Sequence, residues 1–281
     1  MQGFINVNKP QGMTSASVVS MLKKQLHVDK IGHMGTLDPM ASGVLPIAIG
    51  KATRLFDIAL DKTKTYIAEF TFGYTTDTLD STGLVLACDN YAPPVAEIKN
   101  ACLSLIGTIS QIPPKYSAKK VNGKCAYKLA RAGSNFELKP KNVNILKFDL
   151  TKIIAHNVFE FIIVCSSGTY IRALARDLGE LTKSLCIMSG LKRIQTGSFT
   201  INNSVNPTDV TKDDIISIDK AFLDFDRLDI SDSQYKLISN GRPISIEKKL
   251  DNNTFVYYNN ELLGLTKANS DCIKLDIYLK E

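Results

Sequence analysis

The run Gly32-His33-Met34-Gly35-Thr36-Leu37-Asp38-Pro39 constrains this chain more than any other stretch. Two glycines and a proline among polar side chains describe an ordered loop, not a helix or strand interior. The run continues Met40-Ala41-Ser42-Gly43-Val44-Leu45-Pro46, so one carboxylate, Asp38, sits in a glycine-flanked loop where backbone can approach a ligand closely. His33 and Thr36 supply polar neighbours. On composition alone the same residues equally describe a structural turn in which Asp38 caps local N–H groups.

Around this loop the pattern alternates between strand and helix. Phe4 to Asn8 alternates like a short strand, and Lys9-Pro10-Gln11-Gly12 breaks it. Thr14 or Ser15 can cap a helix whose apolar positions are Val18, Met21, Leu22 and Leu26. Tyr66 to Gly73 and Val158 to Cys165 read as strands. Pro93-Pro94 opens a helix with Ile98, Ala101, Cys102 and Leu105 inward, stopped by Gly107. A short helical piece is expected near 127–132. A turn at 166–168 leads into a helix with Ile171, Leu174, Ala175 and Leu178 inward. Beyond residue 222, Ser231 to Gln234 forms a capping box ahead of Leu237 and Ile238, and Gly241 ends that helix. Strands are expected at 254–258, 262–266 and 273–279.

At 281 residues and 44% hydrophobic content, the chain suits one large core plus a smaller unit. It shows no apolar run long enough to span a bilayer and no leader-like segment, so a cytoplasmic protein without membrane partners is expected. The six cysteines form no CxxC pair and read as reduced thiols. His27, His33 and His156 have no metal-ligand spacing, so no metal is expected. Charge is unevenly spread. Lys115, Lys119, Lys120, Lys124, Lys128, Arg131, Lys139, Lys141 and Lys147 face only Glu137, a net +8 against +6 for the whole chain. That concentration favours a phosphate-facing element over an ordinary solvated face. From Ala221 onward eight basic residues meet ten acidic ones, so the tail is no evident phosphate clamp.

The 32–46 run resembles the signature around the catalytic aspartate of the TruB family of pseudouridine synthases, GH-x-G-x-LDP-x-A-x-GVL, with Met34 where threonine is common. Further segments resemble that family in the same order. They are Asn8 to Ser15, Lys64-Thr65-Tyr66, Asp77 to Gly83, Gln111 to Lys120 with Gly123, Tyr127 and Ala130-Arg131, Gly168 to Arg172, and Leu191-Lys192-Arg193. Lys192 stands where arginine is usual. Together the matches span roughly residues 3 to 199.

The resemblance implies an isomerisation that breaks the uracil N1–C1′ bond and rejoins the base through C5, with no cofactor. It implies Asp38 as catalytic nucleophile or base, Arg172 as its cationic partner, and Tyr66 as general base or proton relay. Tyr170 and Leu191 would line the uracil pocket. His33 would help hold an everted nucleotide, Lys9 would support the loop or a nearby phosphate, and Thr36 would be among the substrate-binding residues. The basic segment would be an RNA-contacting thumb, and the implied substrate is the T-stem-loop of tRNA at uridine 55. The expected fold is α+β. A mixed, mainly antiparallel sheet with flanking helices forms a catalytic domain over 1–222, the thumb is inserted near 113–146, and a small β-rich PUA-like domain covers 223–281. A monomer is expected, needing neither a protein partner nor a guide RNA. Two other readings stand beside this one. A non-catalytic RNA-binding or tRNA-folding protein would use the same basic segment. A glycosidase or nucleoside hydrolase would need a second acid across the bond, where the motifs offer Arg172.

Overall fold

Alternation of side chains across strands decides how this chain layers. In the computed structural model, which describes residues 1–60, 63–121, 123–246, 250, 252–267 and 272–280, Ile5 and Val7 bury in one apolar cluster while Phe4 buries in another. Likewise Leu45, Ile47 and Ile49 enter the first cluster, and Val44 and Ala48 the second. The sheet is therefore covered on both faces at the two strands carrying these residues, whereas its strands Lys64–Phe72 and Val158–Cys165 bury alternate residues on one face only.

Its strands, in chain order, begin with β1 (Gly3–Lys9), β2 (Ile31–His33), β3 (Ser42–Ile49) and β4 (Lys64–Phe72). A two-stranded ribbon follows, β5 (Tyr74–Thr76) with β6 (Val85–Cys88). Then come β7 (Gly107–Gln111), a second ribbon of β8 (Lys120–Val121) and β9 (Lys124–Cys125), β10 (Lys141–Ala155), β11 (Val158–Cys165), β12 (Cys186–Thr196) and β13 (Phe199–Thr200). The helices of this part are α1 (Ser15–Leu26), α2 (Phe56–Leu60), α3 (Val95–Ser104), α4 (Ala126–Arg131) and α5 (Ile171–Leu181). The main sheet runs β1-β3-β12-β4-β11-β10-β7, with β2 on β3 and β13 on β12. Every pairing is antiparallel except β12 with β3, so the sheet is mixed and mainly antiparallel.

Helices cover one face. Val18, Leu22 and Leu26 of α1 bury there, as do Ile98, Ala101 and Cys102 of α3 and Ile171, Leu174, Ala175 and Leu178 of α5. Thr14 caps α1 by accepting the Ser17 N–H. The other face is covered by the C-terminal unit, whose Phe222, Phe255, Leu265 and Leu279 join Phe4, Val44, Ala48 and Leu55 in one cluster. Strands at Asp226–Asp229, Thr254–Tyr258, Glu261–Thr266 and Ile277–Tyr278 form its sheet, and the Ser231–Gln234 capping box opens its helix Asp232–Ser239.

Three local expectations change. Gly32 and His33 lie in β2, paired with Ala48 and Ile47, so the ordered loop starts only at Met34. The helix before Gly107 ends at Ser104, and Gly107 opens β7 instead. The expected strand over 273–279 is two pieces, Cys272–Ile273 in a separate ribbon and Ile277–Tyr278 at the edge of the C-terminal sheet, because the two pieces pair with different partners. The basic insertion leaves the sheet at Gln111 and returns at Lys141, directly opposite in the β7–β10 ladder.

Gly43 marks the tightest point of the sheet. It has φ +105°, and a Cβ there would lie 2.1 Å from the Arg193 carbonyl oxygen. Gly12 has a similar φ of +89° but open space around it. Gly12→Ala should lower unfolding free energy by about 1–2 kcal/mol, the dihedral cost alone. Gly43→Ala should cost distinctly more, or prevent folding, because backbone must move. Urea unfolding of the two variants checks the difference.

Candidate active site

The Asp38 loop is held from several directions. The Ser15 hydroxyl, buried at the start of α1, donates to the Leu37 carbonyl at 3.0 Å and accepts the Leu37 N–H at 2.9 Å. The Gly12 N–H reaches the Pro39 carbonyl at 2.8 Å, the Ala41 N–H the Asp38 carbonyl at 3.0 Å, and the Met34 N–H the Pro46 carbonyl at 2.7 Å. Such a loop presents its carboxylate in one orientation.

Arg172 meets that carboxylate. Its Nη2 lies 2.9 Å from Asp38 Oδ2. The arginine is buried at the start of α5, whereas the Asp38 side chain is 35% exposed, so the acid stays reachable from solvent while its partner does not. The same guanidinium donates to the Thr78 carbonyl at 3.0 Å and the Tyr116 carbonyl at 2.9 Å. Its Nη1 also stands 3.6 Å from Asp80 Oδ2. Asp80 is buried and accepts from Thr78 Oγ1, Thr82 Oγ1 and the Thr82 N–H. The sequence reading expected no second acid beside Arg172, and the structure supplies one. Asp80 is spent on its threonines and on the arginine, where it meets Nη1 while Asp38 meets Nη2.

Two further cations are buried around Gly43. Lys9 and Arg193 are its register partners on β1 and β12. Lys9 donates to the carbonyls of Pro10 at 2.9 Å and Met13 at 2.7 Å. Burial pulls its pKa down to about 8, with Asp38 opposing and Arg193 assisting. Arg193 lies directly opposite Tyr66 in the β12–β4 ladder. Burial raises the Tyr66 hydroxyl above its ordinary value, and the adjacent Arg193 charge works against that rise. Burial and then Arg193 hold His33 below the ordinary histidine value.

The other sequence-expected residues are placed as follows. Tyr170 caps α5, half-buried, with its N–H on Gln111 Oε1 at 2.9 Å. Leu191 is half-buried against the helix-side core, opposite Ala68. Thr36 is exposed at the loop surface. His33 lines an open cleft with Ser20, Lys30, Thr53 and Phe56, and the Asp38 carboxylate is not part of that cleft. Lys115, Lys120, Lys124, Lys128 and Arg131 are exposed on the insertion, and Lys119 is half-buried with its Nζ on the Lys139 carbonyl. Asp80 and Arg193 were given no role from sequence. Arg193 had a signal: it takes an inward position on β12, next to the exposed Lys192, where an apolar residue is the rule. Among the described residues no cluster of three metal-ligating side chains occurs.

The family described as TruB family pseudouridylate synthase (N terminal domain) matches residues 23–171. The tRNA pseudouridine synthase B of Rickettsia akari (strain Hartford) is 41% identical over 283 residues, covering 96% of this chain and 95% of that one. The protein of the same name from Clostridium perfringens (strain 13 / Type A) is 38% identical over 293 residues, covering 100% of both. Among solved structures, a chain in a Cbf5-Nop10-Gar1 complex aligns with TM-score 0.75 at 24% identity, covering 99% of this chain and 84% of that one. A chain of an H/ACA RNP bound to a substrate RNA containing 2′-deoxyuridine aligns with TM-score 0.71 at 23% identity, covering 99% and 87%. These last two share the fold.

Two outcomes follow from the charges. Arg172→Met should destabilise by about 3 kcal/mol or more, because Asp80 is left buried without its cation. Asp38→Asn should change stability by less than about 1 kcal/mol, since that carboxylate is solvated. Urea unfolding measures both. Lys9 should give the folded chain a pH signature. Between its folded value of about 8 and an unfolded value of about 10.4, the folded state binds fewer protons, so its stability rises with pH. Unfolding free energies of wild type and Lys9→Met should therefore diverge in favour of wild type across that window.

Proposed function

The chain belongs to the TruB family of pseudouridylate synthases, and from that membership we propose that it converts uridine 55 in the T-loop of tRNA to pseudouridine. One observation carries the assignment of chemistry to residues: a reachable Asp38 carboxylate oriented by a buried guanidinium 2.9 Å away. Asp38 acts at the ribose or uracil ring as nucleophile or base. Arg172 orients it. The N1–C1′ bond breaks, the base turns, a C5–C1′ bond forms, and C5 gives up its proton while N1 takes one. Atoms balance without a cofactor.

The target uridine must leave its stack first, at a cost of a few kcal/mol. The thumb, near 113–146, supplies phosphate contacts through Lys115, Lys119, Lys120, Lys124, Lys128 and Arg131, which position the RNA without reading its sequence. Tyr170 and Leu191 line the uracil site, His33 holds the everted nucleotide, and Lys9 and Thr36 support the loop. Tyr66 takes the C5 proton. The division is a catalytic domain over 1–222 and a PUA-like domain over 223–281. The protein works as a monomer in the cytoplasm, without guide RNA. No helix among the described residues is long and apolar enough to cross a membrane, which accords with that location.

The hydrolase reading has less support, because the nearby second acid, Asp80, is buried and already engaged by Thr78, Thr82 and Arg172. Incubation of the isolated protein with unmodified tRNA, followed by pseudouridine mapping, should give a single modified position in the T-loop. Release of free uracil would favour hydrolysis. Asp38→Asn should bind the same tRNA within about threefold of wild type yet form no pseudouridine; normal product from that variant would remove Asp38 from the mechanism.

A further inference from the structure

One buried guanidinium is used by no step described above. Arg193 is 1% exposed and is the largest fully buried side chain. Its Nε donates to the Val44 carbonyl at 2.7 Å and its Nη2 to the Gly35 carbonyl at 3.1 Å. Among the described residues no carboxylate lies within ion-pair distance of it. Burying a cation without a counter-charge costs several kcal/mol, and an apolar side chain of similar volume would fill the same slot more favourably. Its neighbours show what the charge is for. Gly35 lies three residues before Asp38, and Tyr66 is directly opposite on β4 with its hydroxyl beside the guanidinium.

We infer that Arg193 is a positioning residue for the isomerisation: it fixes the Asp38 loop through Gly35 and keeps the Tyr66 oxygen as the acceptor of the uracil C5 proton. The inference rests on Tyr66 being that acceptor. A guanidinium offers donors only, so the oxygen facing it must accept, and the charge stabilises the phenolate. The burial that raises the Tyr66 pKa is thereby partly offset at the one tyrosine that must lose its proton. The phenol first releases its proton to solvent. In the step itself the C5–H bond breaks and its proton joins the Tyr66 oxygen. The C5–H electron pair becomes the C5=C6 double bond, the C6=N1 pair moves to N1, and N1 takes one proton from water.

The test uses single-turnover kinetics on RNA whose target uridine carries either hydrogen or deuterium at C5. Arg193→Met should slow conversion about 100-fold and make C5 proton loss limiting, so the isotope effect rises to about twofold or more. The rising limb of the pH–rate profile should move to higher pH. Arg193→Lys keeps a charge, and it should recover part of the rate and return the limb toward wild type. If Arg193→Met does not fold, the isotope effect and pH limb of Arg193→Lys, shifted from wild type, carry the test. In a Tyr66→Phe background, Arg193→Met should add much less than its 100-fold effect on the wild type, about tenfold or below, because the share that acts through the Tyr66 oxygen is already lost and only the hold on the Asp38 loop remains. An unchanged isotope effect and pH limb in the Arg193 variants, or an equal loss with and without Tyr66, would overturn the inference. Tyr66→Phe turning over at the wild-type rate would instead remove Tyr66 as the acceptor, and the Arg193 inference with it.

Discussion

The Arg172 guanidinium touches three segments that are far apart in the chain: the Asp38 loop, the Thr78–Asp80 turn and the root of the insertion at Tyr116. Nη2 serves both Asp38 and Tyr116 while Nη1 serves Thr78 and Asp80, a fixed fork of donors that lysine could not reproduce. The buried Asp80 sets the position of the arginine, and the arginine sets the direction of Asp38. Helix α5 adds to the hold on the insertion, because Arg176 reaches the Ile112 carbonyl and the Tyr170 N–H reaches Gln111. The basic insertion is thus joined to the Asp38 carboxylate through one helix end.

A second constraint comes from the sheet. β12 lies parallel to β3 for only two register pairs, Lys192 with Ser42 and Arg193 with Gly43. That approach needs a residue without Cβ, and it brings a cation from late in the chain onto a loop from early in it. Lys9, Arg172 and Arg193 then stand around one exposed acid, with Asp80 as the buried counterweight. The cations are buried and the acid they surround is reachable from solvent, so the buried members hold the arrangement and the carboxylate contributes little to stability.

Much of this was legible in the residues. The α1, α3 and α5 faces followed helical spacing, and Val158 to Cys165 is the strand its apolar run predicts. The Asp38 and Arg172 pair followed from motif resemblance, and no local pattern would have joined residues 38 and 172. Other elements were hidden for physical reasons. β3 contains Pro46, which argues against an interior strand, yet Met34 N–H uses the Pro46 carbonyl and the ladder tolerates the missing donor. The strand over 273–279 broke because pairing partners, not propensity, decide strand ends. Asp80 stood inside a recognised segment, but only the fold could show that its carboxylate is buried against an arginine from α5.

The β12–β3 contact also sets when the protein becomes competent during its own synthesis. Residues 43 and 193 are register partners, so about 150 residues must be added after the loop before its last clamp exists. At about 5–20 residues per second, a ribosome needs roughly eight to thirty seconds for that stretch. Until residue 172 is made the loop has only its early holds, the Ser15 hydroxyl and the Gly12 N–H, and neither guanidinium. Assembly is therefore stepwise: a chain that stops short of residue 193 can pair Asp38 with Arg172 but lacks the Gly35 contact that Arg193 makes.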